Sequence, residues 1–167
     1  MSWLKKWLRS RKKHRMAQKV LRTAKSVGHG LRVNGKSAVN SNTYLGNNVN
    51  FNGMTIGGRG RVIIGDNFHS GPECRIITSF HNYEGTKIPY DETYIDRDVI
   101  IGDNVWFGTR VMVLGGVTIE EGAIIQAGSV VVSNIPKGAI AGGHPAKVFK
   151  YRDLAHYDEL KASGAFH

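Results

Sequence analysis

The chain has 167 residues, with 23 lysines and arginines against 13 aspartates and glutamates, 41% hydrophobic residues and one cysteine. This length suits one domain with a real hydrophobic core, and the moderate charge content argues against a disordered chain. There is no apolar run long enough for a membrane-spanning helix or a signal peptide. Because Cys74 has no second cysteine to pair with, we expect a cytoplasmic protein without disulfides.

The N-terminal segment carries the excess charge. Residues 1–25 contain ten basic residues and no acidic residue, so residues 26–167 are neutral, with 13 of each sign. Large apolar residues recur there at helical spacing: Trp3, Leu4, Trp7, Leu8, Met16, Val20 and Leu21. The pattern predicts a basic amphipathic helix over 1–27 that either contacts an anionic membrane or packs on the rest of the protein. Because the body adds no net positive charge, we do not expect nucleic-acid binding.

A six-residue repeat fills most of the remaining chain. From Ile95 the sequence divides into IDRDVI, IGDNVW, FGTRVM, VLGGVT, IEEGAI, IQAGSV and VVSNIP. The same period starts at Val33, runs through Phe51, and resumes at Ile64 after a one-residue slip that we place near Gly57–Arg61. Apolar first positions separated by turn-forming residues predict a parallel β-helix in which three short strands make one coil.

Two segments depart from the repeat. Residues 78–94 (TSFHNYEGTKIPYDETY) are polar and aromatic, and we expect them to form a loop extruded from the coil, a common place for function. Beyond the last hexads, the tail predicts a short helix that covers the final coil. The expected organisation is therefore an N-terminal helix over 1–27, a β-helix domain over 28–150 that carries the loop, and a C-terminal helix and tail over 151–167.

The hexads, together with the ending GGHPAKVFK, closely resemble the hexapeptide-repeat acyltransferases, most nearly the galactoside and maltose O-acetyltransferases and the bacterial polysaccharide O-acetyltransferases. The resemblance covers roughly residues 30–152. It implies an all-β fold, a left-handed parallel β-helix, assembled as a homotrimer with active sites at the subunit interfaces. It also implies acetyl-CoA as acyl donor, a saccharide hydroxyl as acceptor in surface glycan or polysaccharide synthesis, and no required metal.

The resemblance places the catalytic group at His81. In the family the catalytic histidine begins a loop of this kind shortly before the IGDNVW-like hexads, and His81 occupies that place. The acceptor hydroxyl must lose its proton as the new C–O bond forms, and an imidazole can accept that proton at neutral pH. The same ring can protonate the leaving thiolate, so no acyl-enzyme is required. Cys74, at an inward-facing fifth position, is expected to be a buried small residue.

The resemblance also implies residues that bind acetyl-CoA. The backbone N–H of Thr109 would donate to the developing oxyanion. Trp106 would line the channel for the pantetheine arm, and backbone groups of Ala127 and Gly128 would pair with that arm.

Lys147 and Lys150 match basic positions near the nucleotide phosphates of the family. Two preceding positions, often Thr and Lys in the family, are Val132 and Ser133 here, which weakens any side-chain phosphate contact at that point.

For the acceptor, Asn50 and Asn52 resemble the asparagines that hold the sugar and orient the histidine in galactoside acetyltransferases, and Tyr83 is a further candidate from the loop. Other functions remain open at this point. The acceptor could be an amino sugar or a small non-sugar molecule, or the chain could be a non-catalytic scaffold that recruits partners through its basic helix. A zinc hydratase of the carbonic anhydrase type needs three converging histidines, and the seven here show no close ligand pair. Acetyl-CoA binding would separate the acyltransferase from the scaffold and the hydratase.

Overall fold

The computed structural model describes residues 3–167, except for the side chains of Leu4 and Lys6. Over this range the chain forms a β-solenoid of about six turns. Helix α1 (Trp3–Thr23) precedes the solenoid and helix α2 (Leu154–Ala162) follows it. The architecture confirms the β-helix that the hexads predict, and it confirms the helices expected before and after it.

Each coil contributes strands to three sheets, here called faces A, B and C. Face A contains, in order, β1 (Ser26–Val27), β3 (Thr43–Leu45), β6 (Val62–Ile64), β11 (Val99–Ile101) and β14 (Thr118–Ile119). Face B contains β2 (Arg32–Val33), β4 (Asn50–Phe51), β7 (His69–Ser70), β12 (Trp106–Phe107), β15 (Ile124–Ile125), β17 (Ala139–Gly143) and the antiparallel β18 (Ala146–Tyr151). Face C contains β5 (Met54–Gly57), β8 (Cys74–Ile77), β13 (Met112–Leu114) and β16 (Val130–Val131). A separate hairpin pairs β9 (Ser79–His81) with β10 (Tyr94–Asp96).

The first and fifth hexad positions build the core, because both point into the coil. Buried first positions include Ile101, Phe107, Val113, Ile119, Ile125 and Val131. Buried fifth positions include Val105, Val111, Val117, Ala123, Ser129 and Ile135. Phe68 packs edge-on against both Phe51 and Phe107, with ring centroids 6.0 and 5.0 Å apart. Such T-shaped pairs add stabilisation beyond their buried area, so the middle of the prism is rigid.

The slip in the early repeat differs from the one expected near Gly57–Arg61. The chain first loses one residue after Phe51, so that Met54 takes the inward fifth position and pairs with Cys74. It then gains two residues at 57–61 before Val62 returns to register. Gly53 allows the shortened turn, since its φ is +136° and a Cβ there would lie 3.1 Å from the Glu73 nitrogen.

Three edges join the faces, and each carries a different feature. The A–B edge is a ladder of asparagines in the left-handed conformation: Asn48, Asn67 and Asn104 have φ of 53°, 55° and 58°. Asn48 Nδ2 donates to Asn67 Oδ1 (3.0 Å), Asn67 Nδ2 donates to Asn104 Oδ1 (2.9 Å), and Asn104 Nδ2 donates to the Tyr157 hydroxyl (2.8 Å). The ladder therefore ends on helix α2.

Helix α2 begins against the last coil, where Leu154 lies beside Gly138, and runs along the A–B edge. The Tyr157 hydroxyl, held by Asn104, also donates to Glu121 Oε1 (2.9 Å), and these partners lie on the edge rather than at the end. Burial is the largest of the effects that raise the pKa of Tyr157 to about 12. Further along, Asn48 Nδ2 donates to the His167 carbonyl oxygen (2.9 Å), which brings the tail back to the second coil.

Helix α1 covers the first coil with its second half. Val20 is 1% exposed within the solenoid core, and Met16 and Ala17 pack against that core. In the first half of the helix, Trp3 and Trp7 are 76% and 42% exposed. One half of α1 therefore packs on the protein, while the other presents tryptophans and cations to solvent.

Candidate active site

The extruded loop stands on the C–A edge and carries His81 at the end of β9. His81 lies opposite Tyr94 in the hairpin. Its imidazole stacks on the Tyr90 ring, with centroids 3.9 Å apart and planes 14° apart, and the Tyr94 ring centroid is 4.7 Å away. His81 is exposed, and its ring nitrogens make no hydrogen bond to the described residues. Aromatic contacts thus hold the ring while its nitrogens stay available to a substrate.

Asp91 organises the rest of the loop. Its carboxylate accepts hydrogen bonds from the backbone N–H groups of Thr86 (3.0 Å) and Thr93 (2.8 Å) and from the Thr93 hydroxyl (2.5 Å). The Thr93 hydroxyl bond is the largest cause of the lowered pKa of Asp91. Gly85 packs so closely that a Cβ there would lie 2.1 Å from the carboxylate. The loop therefore has a defined conformation built around one carboxylate.

Arg59 holds the base of the hairpin, a role that the sequence analysis missed. Its Nε lies 3.2 Å from Asp96 Oδ2, and its guanidinium carbon lies 4.8 Å from the centroid of the Tyr94 ring. Its backbone N–H donates to Ser79 Oγ (2.7 Å), and that hydroxyl donates to Asp96. Arg59 lies within the two-residue insertion at 57–61. Locating that insertion correctly in the sequence would therefore have singled out Arg59.

The B–C edge carries three of the six predicted acetyl-CoA-binding residues, Thr109, Ala127 and Gly128. Thr109 and Ala127 lie one coil apart there, and neither backbone N–H has an acceptor within the described part of the chain. The Gly128 N–H, by contrast, donates to the Thr109 carbonyl (2.8 Å). The edge thus carries two backbone N–H groups that have no acceptor among the described residues, which suits a ligand with carbonyl groups.

Trp106 and the two lysines lie on face B, and Trp106 lines a cavity with Asn67 and Asn104 of the A–B edge. Trp106 is 52% exposed and lies in register between His69 and Ile124. Lys147 and Lys150 are exposed on β18, paired with Gly142 and Ile140 at the far end of the face.

The three predicted acceptor residues occupy different places. Asn50 is 4% exposed on face B, and its amide nitrogen lies 3.2 Å from His69 Nε2. Burial is the largest cause of the lowered pKa of His69. Asn52 lies on the B–C edge and donates to the Ser70 carbonyl (2.8 Å). Tyr83 is 71% exposed in the loop.

Two groups of predicted site residues therefore lie on different edges. His81 and Tyr83 are at the C–A edge, and Asn52 and Thr109 are at the B–C edge, with face C between them. One chain alone does not place His81 beside Thr109.

Cys74 is buried, as the hexad pattern predicts, and is 2% exposed. Burial raises the pKa of its thiol, which donates to the Gly108 carbonyl (3.1 Å). A protonated, enclosed thiol of this kind is a poor nucleophile.

Two kinds of feature are absent from residues 3–167. No group of three or more His, Cys, Asp or Glu side chains there is placed to hold a metal ion. None of the helices formed by residues 3–167 has the length and apolar character needed to cross a bilayer.

Comparison with known proteins identifies the family. The family described as bacterial transferase hexapeptide (six repeats) matches residues 98–133, which include Trp106, Thr109, Ala127 and Gly128. Galactoside O-acetyltransferase of Escherichia coli K12 is 36% identical over 122 residues, or 70% of this chain and 59% of that protein. The solved structure of galactoside acetyltransferase in complex with coenzyme A aligns with a TM-score of 0.68 at 30% identity, covering 81% of this chain and 67% of that one. The chain belongs to the hexapeptide-repeat transferases.

A maltose O-acetyltransferase from Clostridium difficile 630 is a further structural neighbour of this hexapeptide-repeat transferase. Its TM-score is 0.60 at 30% identity, with 77% of this chain and 66% of that chain covered. The chain spans about three fifths of the length of the curated relatives it matches.

Proposed function

We propose that this hexapeptide-repeat transferase moves an acetyl group from acetyl-CoA to a saccharide hydroxyl. The observation that carries the proposal is the His81 ring, fixed between two tyrosines with accessible nitrogens in a loop extruded from the family's coil. The similarity to galactoside O-acetyltransferase and to its coenzyme A complex supports both the donor and the class of acceptor.

His81 acts as the general base in this proposal. It accepts the proton of the acceptor hydroxyl as that oxygen attacks the acetyl carbonyl carbon, and it then delivers the proton to the leaving sulfur. The Thr109 N–H donates to the carbonyl oxygen as negative charge develops. One C–O bond forms, one C–S bond breaks and one proton moves from oxygen to sulfur, so Cys74 carries no acetyl group.

A second copy of the chain completes the site. Because face C separates His81 from Thr109, we assign the two groups of one site to adjacent subunits of a homotrimer with threefold symmetry. An outward ladder of Tyr44, Ile63 and Ile100 on face A, with Ile100 41% exposed, supplies apolar surface beside the C–A edge. Light scattering should give a mass about three times the 18.4 kDa chain, and Ile100→Arg should lower it.

The other residues assigned to acetyl-CoA bind its arm and its nucleotide. Trp106 lines the pantetheine arm, the backbone groups of Ala127 and Gly128 pair with it, and Lys147 and Lys150 contact the nucleotide phosphates. Replacing both lysines with glutamine should weaken the binding of CoA more than that of dephospho-CoA. An equal loss for the two ligands would remove this role.

Acceptor binding is assigned to Asn52 at the B–C edge and to Tyr83 from the neighbouring subunit's loop, with Asn50 supporting them from face B. The acceptor is a saccharide in surface glycan or polysaccharide assembly. We place the enzyme in the cytoplasm, where the exposed first half of α1, with Trp3 and Trp7 among cations, contacts an anionic membrane surface.

The direct test is an assay of acetyl transfer to a panel of saccharides. Release of the CoA thiol measures the rate of transfer. His81→Ala should lower turnover by about a hundredfold or more while the oligomer stays intact. His156→Ala, an exposed histidine on α2, is the matched control and should keep normal turnover. Near-normal turnover of His81→Ala would reject the catalytic assignment.

A further inference from the structure

The strongest unassigned feature is a cationic groove between helix α1 and the first coil. It has a volume of about 670 Å³. Its charged lining consists of Arg11, Lys12, Arg15 and Lys19 from the helix and Lys36 from the coil. Leu8 and Met16 add apolar surface. These helical positions follow a spacing of three and four residues, so they form one continuous face of α1.

No carboxylate compensates this face. The first acidic residue of the whole sequence is Asp66, whereas residues 1–65 contain 14 lysines and arginines. The body that is neutral in total is therefore itself polarised, with net charge +4 over residues 26–65 and −4 over residues 66–167. No ion pair of the described residues includes any of the five groove cations.

Folding alone does not account for this arrangement. Like charges four residues apart, such as Arg11 with Arg15 and Arg15 with Lys19, destabilise a helix. The second half of α1 needs only its Met16, Ala17 and Val20 side to pack on the core. A ligand carrying several negative charges would relieve the repulsion.

We propose that this groove binds the diphosphate group of an amphiphilic ligand. Two guanidinium groups, those of Arg11 and Arg15, can each grip phosphate oxygens through paired donors, and the lysines add point charges. Arg11 and Lys19 lie about 12 Å apart along the helix, and the five cations exceed the charge of a single phosphate, so a diphosphate with its second phosphate compensates more of them. Leu8 and Met16 suit the alkyl or other apolar part attached to the diphosphate.

The groove continues toward the site proposed above. Lys36 also lines the next cavity, of about 640 Å³, together with Asn52, Glu73 and Arg110 on the B–C edge and Arg75 on face C. Arg110 Nε pairs there with Glu73 Oε2 at 2.7 Å. A ligand anchored by its diphosphate thus has an open path along the edge that carries Thr109. Binding of a diphosphate in the groove does not depend on acetyl transfer. It makes the proposed membrane contact more specific, because the groove would bind the lipid headgroup while Trp3 and Trp7 contact the apolar part of the membrane.

The test compares two double variants of the full chain that lose the same charge. Arg15→Gln/Lys36→Gln removes one arginine of α1 and one lysine outside it from the groove. Arg9→Gln/Lys25→Gln removes an equivalent exposed pair that does not line the groove. Calorimetry at fixed ionic strength measures binding of inorganic diphosphate and of orthophosphate to each.

Wild-type protein should bind inorganic diphosphate saturably and more tightly than orthophosphate. The groove variant should lose about tenfold or more in affinity, and the control variant less than about threefold, because charge-assisted contacts act at short range. Equal losses in the two variants, or no saturable binding by wild type, would overturn the proposal. Tighter binding of an oligonucleotide than of diphosphate, with equal dependence on both pairs, would also overturn it.

The source of the diphosphate is distinguished with phosphatidylcholine vesicles that contain a minor fraction of a long-chain alkyl diphosphate. If the ligand is a lipid, the protein should bind the vesicles more tightly than inorganic diphosphate. Trp3→Ala/Trp7→Ala should then weaken the affinity for the vesicles and leave the affinity for inorganic diphosphate unchanged. If it is soluble, ADP should match the vesicles in affinity. Either result supports the proposal that the groove binds diphosphate. Unchanged vesicle binding by the tryptophan variant would reject only the membrane contact of Trp3 and Trp7.

Discussion

The imidazole of His81 lies 3.9 Å from the ring centroid of Tyr90, with only 14° between their planes. Both residues belong to the extruded loop, but they are separated by the turn that Asp91 organises. The orientation of the proposed base therefore depends on aromatic stacking rather than on a carboxylate or carbonyl partner. This relationship makes the loop conformation, and not the coil itself, the feature that orients the proposed base.

Tyr90 should act as a positioning residue for His81. Tyr90→Ala removes the stacked ring, so kcat should fall about tenfold or more with little change in KM for acetyl-CoA. Tyr90→Phe keeps the ring and should retain near-normal kcat. The steady-state constants of the two variants check this, and an equal loss in both would show that stacking is not the function of Tyr90.

Arg59 should position His81 through Tyr94. Arg59→Gln loses both the ion pair with Asp96 and the contact with the Tyr94 ring, so kcat should fall about threefold to tenfold while the melting temperature changes little, because exposed ion pairs contribute little stability.

Arg61→Gln is the matched control for Arg59. Arg61 pairs with Asp98 at 3.1 Å on the same edge, but it contacts no ring of the loop in the described structure. Unchanged kcat in this control is expected. Similar kcat losses in the two variants would mean that the charge of the edge matters, rather than the contact with Tyr94.

The loop should be sensitive to acid through Asp91. Its pKa is lowered in the folded chain, chiefly by the Thr93 hydroxyl, so the carboxylate stabilises the loop above its unfolded pKa of about 3.9. That stabilisation is lost as the pH falls through the lowered folded value. The protection factors of the Thr86 and Thr93 amides, corrected for the slower intrinsic exchange in acid, should therefore fall as the pH is lowered.

Asp91→Asn should show faster exchange of the same amides at neutral pH, since a neutral amide accepts more weakly than a carboxylate. Glu92→Gln, an exposed neighbour that pairs with Lys87, should leave the exchange unchanged. Protected amides in Asp91→Asn would contradict the role given to Asp91.

Cys74 should be dispensable for turnover. Because burial raises the pKa of its thiol, native protein should react slowly with thiol reagents, and labelling should accelerate on unfolding. Cys74→Ala should keep near-normal kcat. Loss of turnover in a folded Cys74→Ala variant, or an acetylated Cys74 detected by mass spectrometry, would contradict direct transfer.

The period of the repeat predicts much of the fold because it is a local property. Each hexad decides which of its residues point inward, so Phe107, Val111 and Cys74 could be placed in the core from sequence alone. The exposed Trp106, at a sixth position, follows from the same rule.

Other features depend on contacts between distant coils, which the period does not contain. The chain loses one residue at the Gly53 turn and gains two at 57–61. Only the net gain of one residue is visible in the period of the sequence. The contact of Arg59 with Tyr94 joins segments separated by a coil that the extruded loop makes longer than the others. The course of α2 depends on Tyr157 meeting the asparagine ladder at Asn104. Such pairings could not be predicted from the spacing of apolar residues.

Binding of acetyl-CoA tests the central claim most directly, because it requires no knowledge of the acceptor. The measurement is the thermal melt of the purified protein across an acetyl-CoA titration. A specific ligand at about 100 times its Kd adds roughly 2.7 kcal/mol to the free energy of unfolding. We predict a saturable rise in melting temperature that His81→Ala retains. No shift at millimolar acetyl-CoA would contradict the acetyltransferase and favour a non-catalytic scaffold.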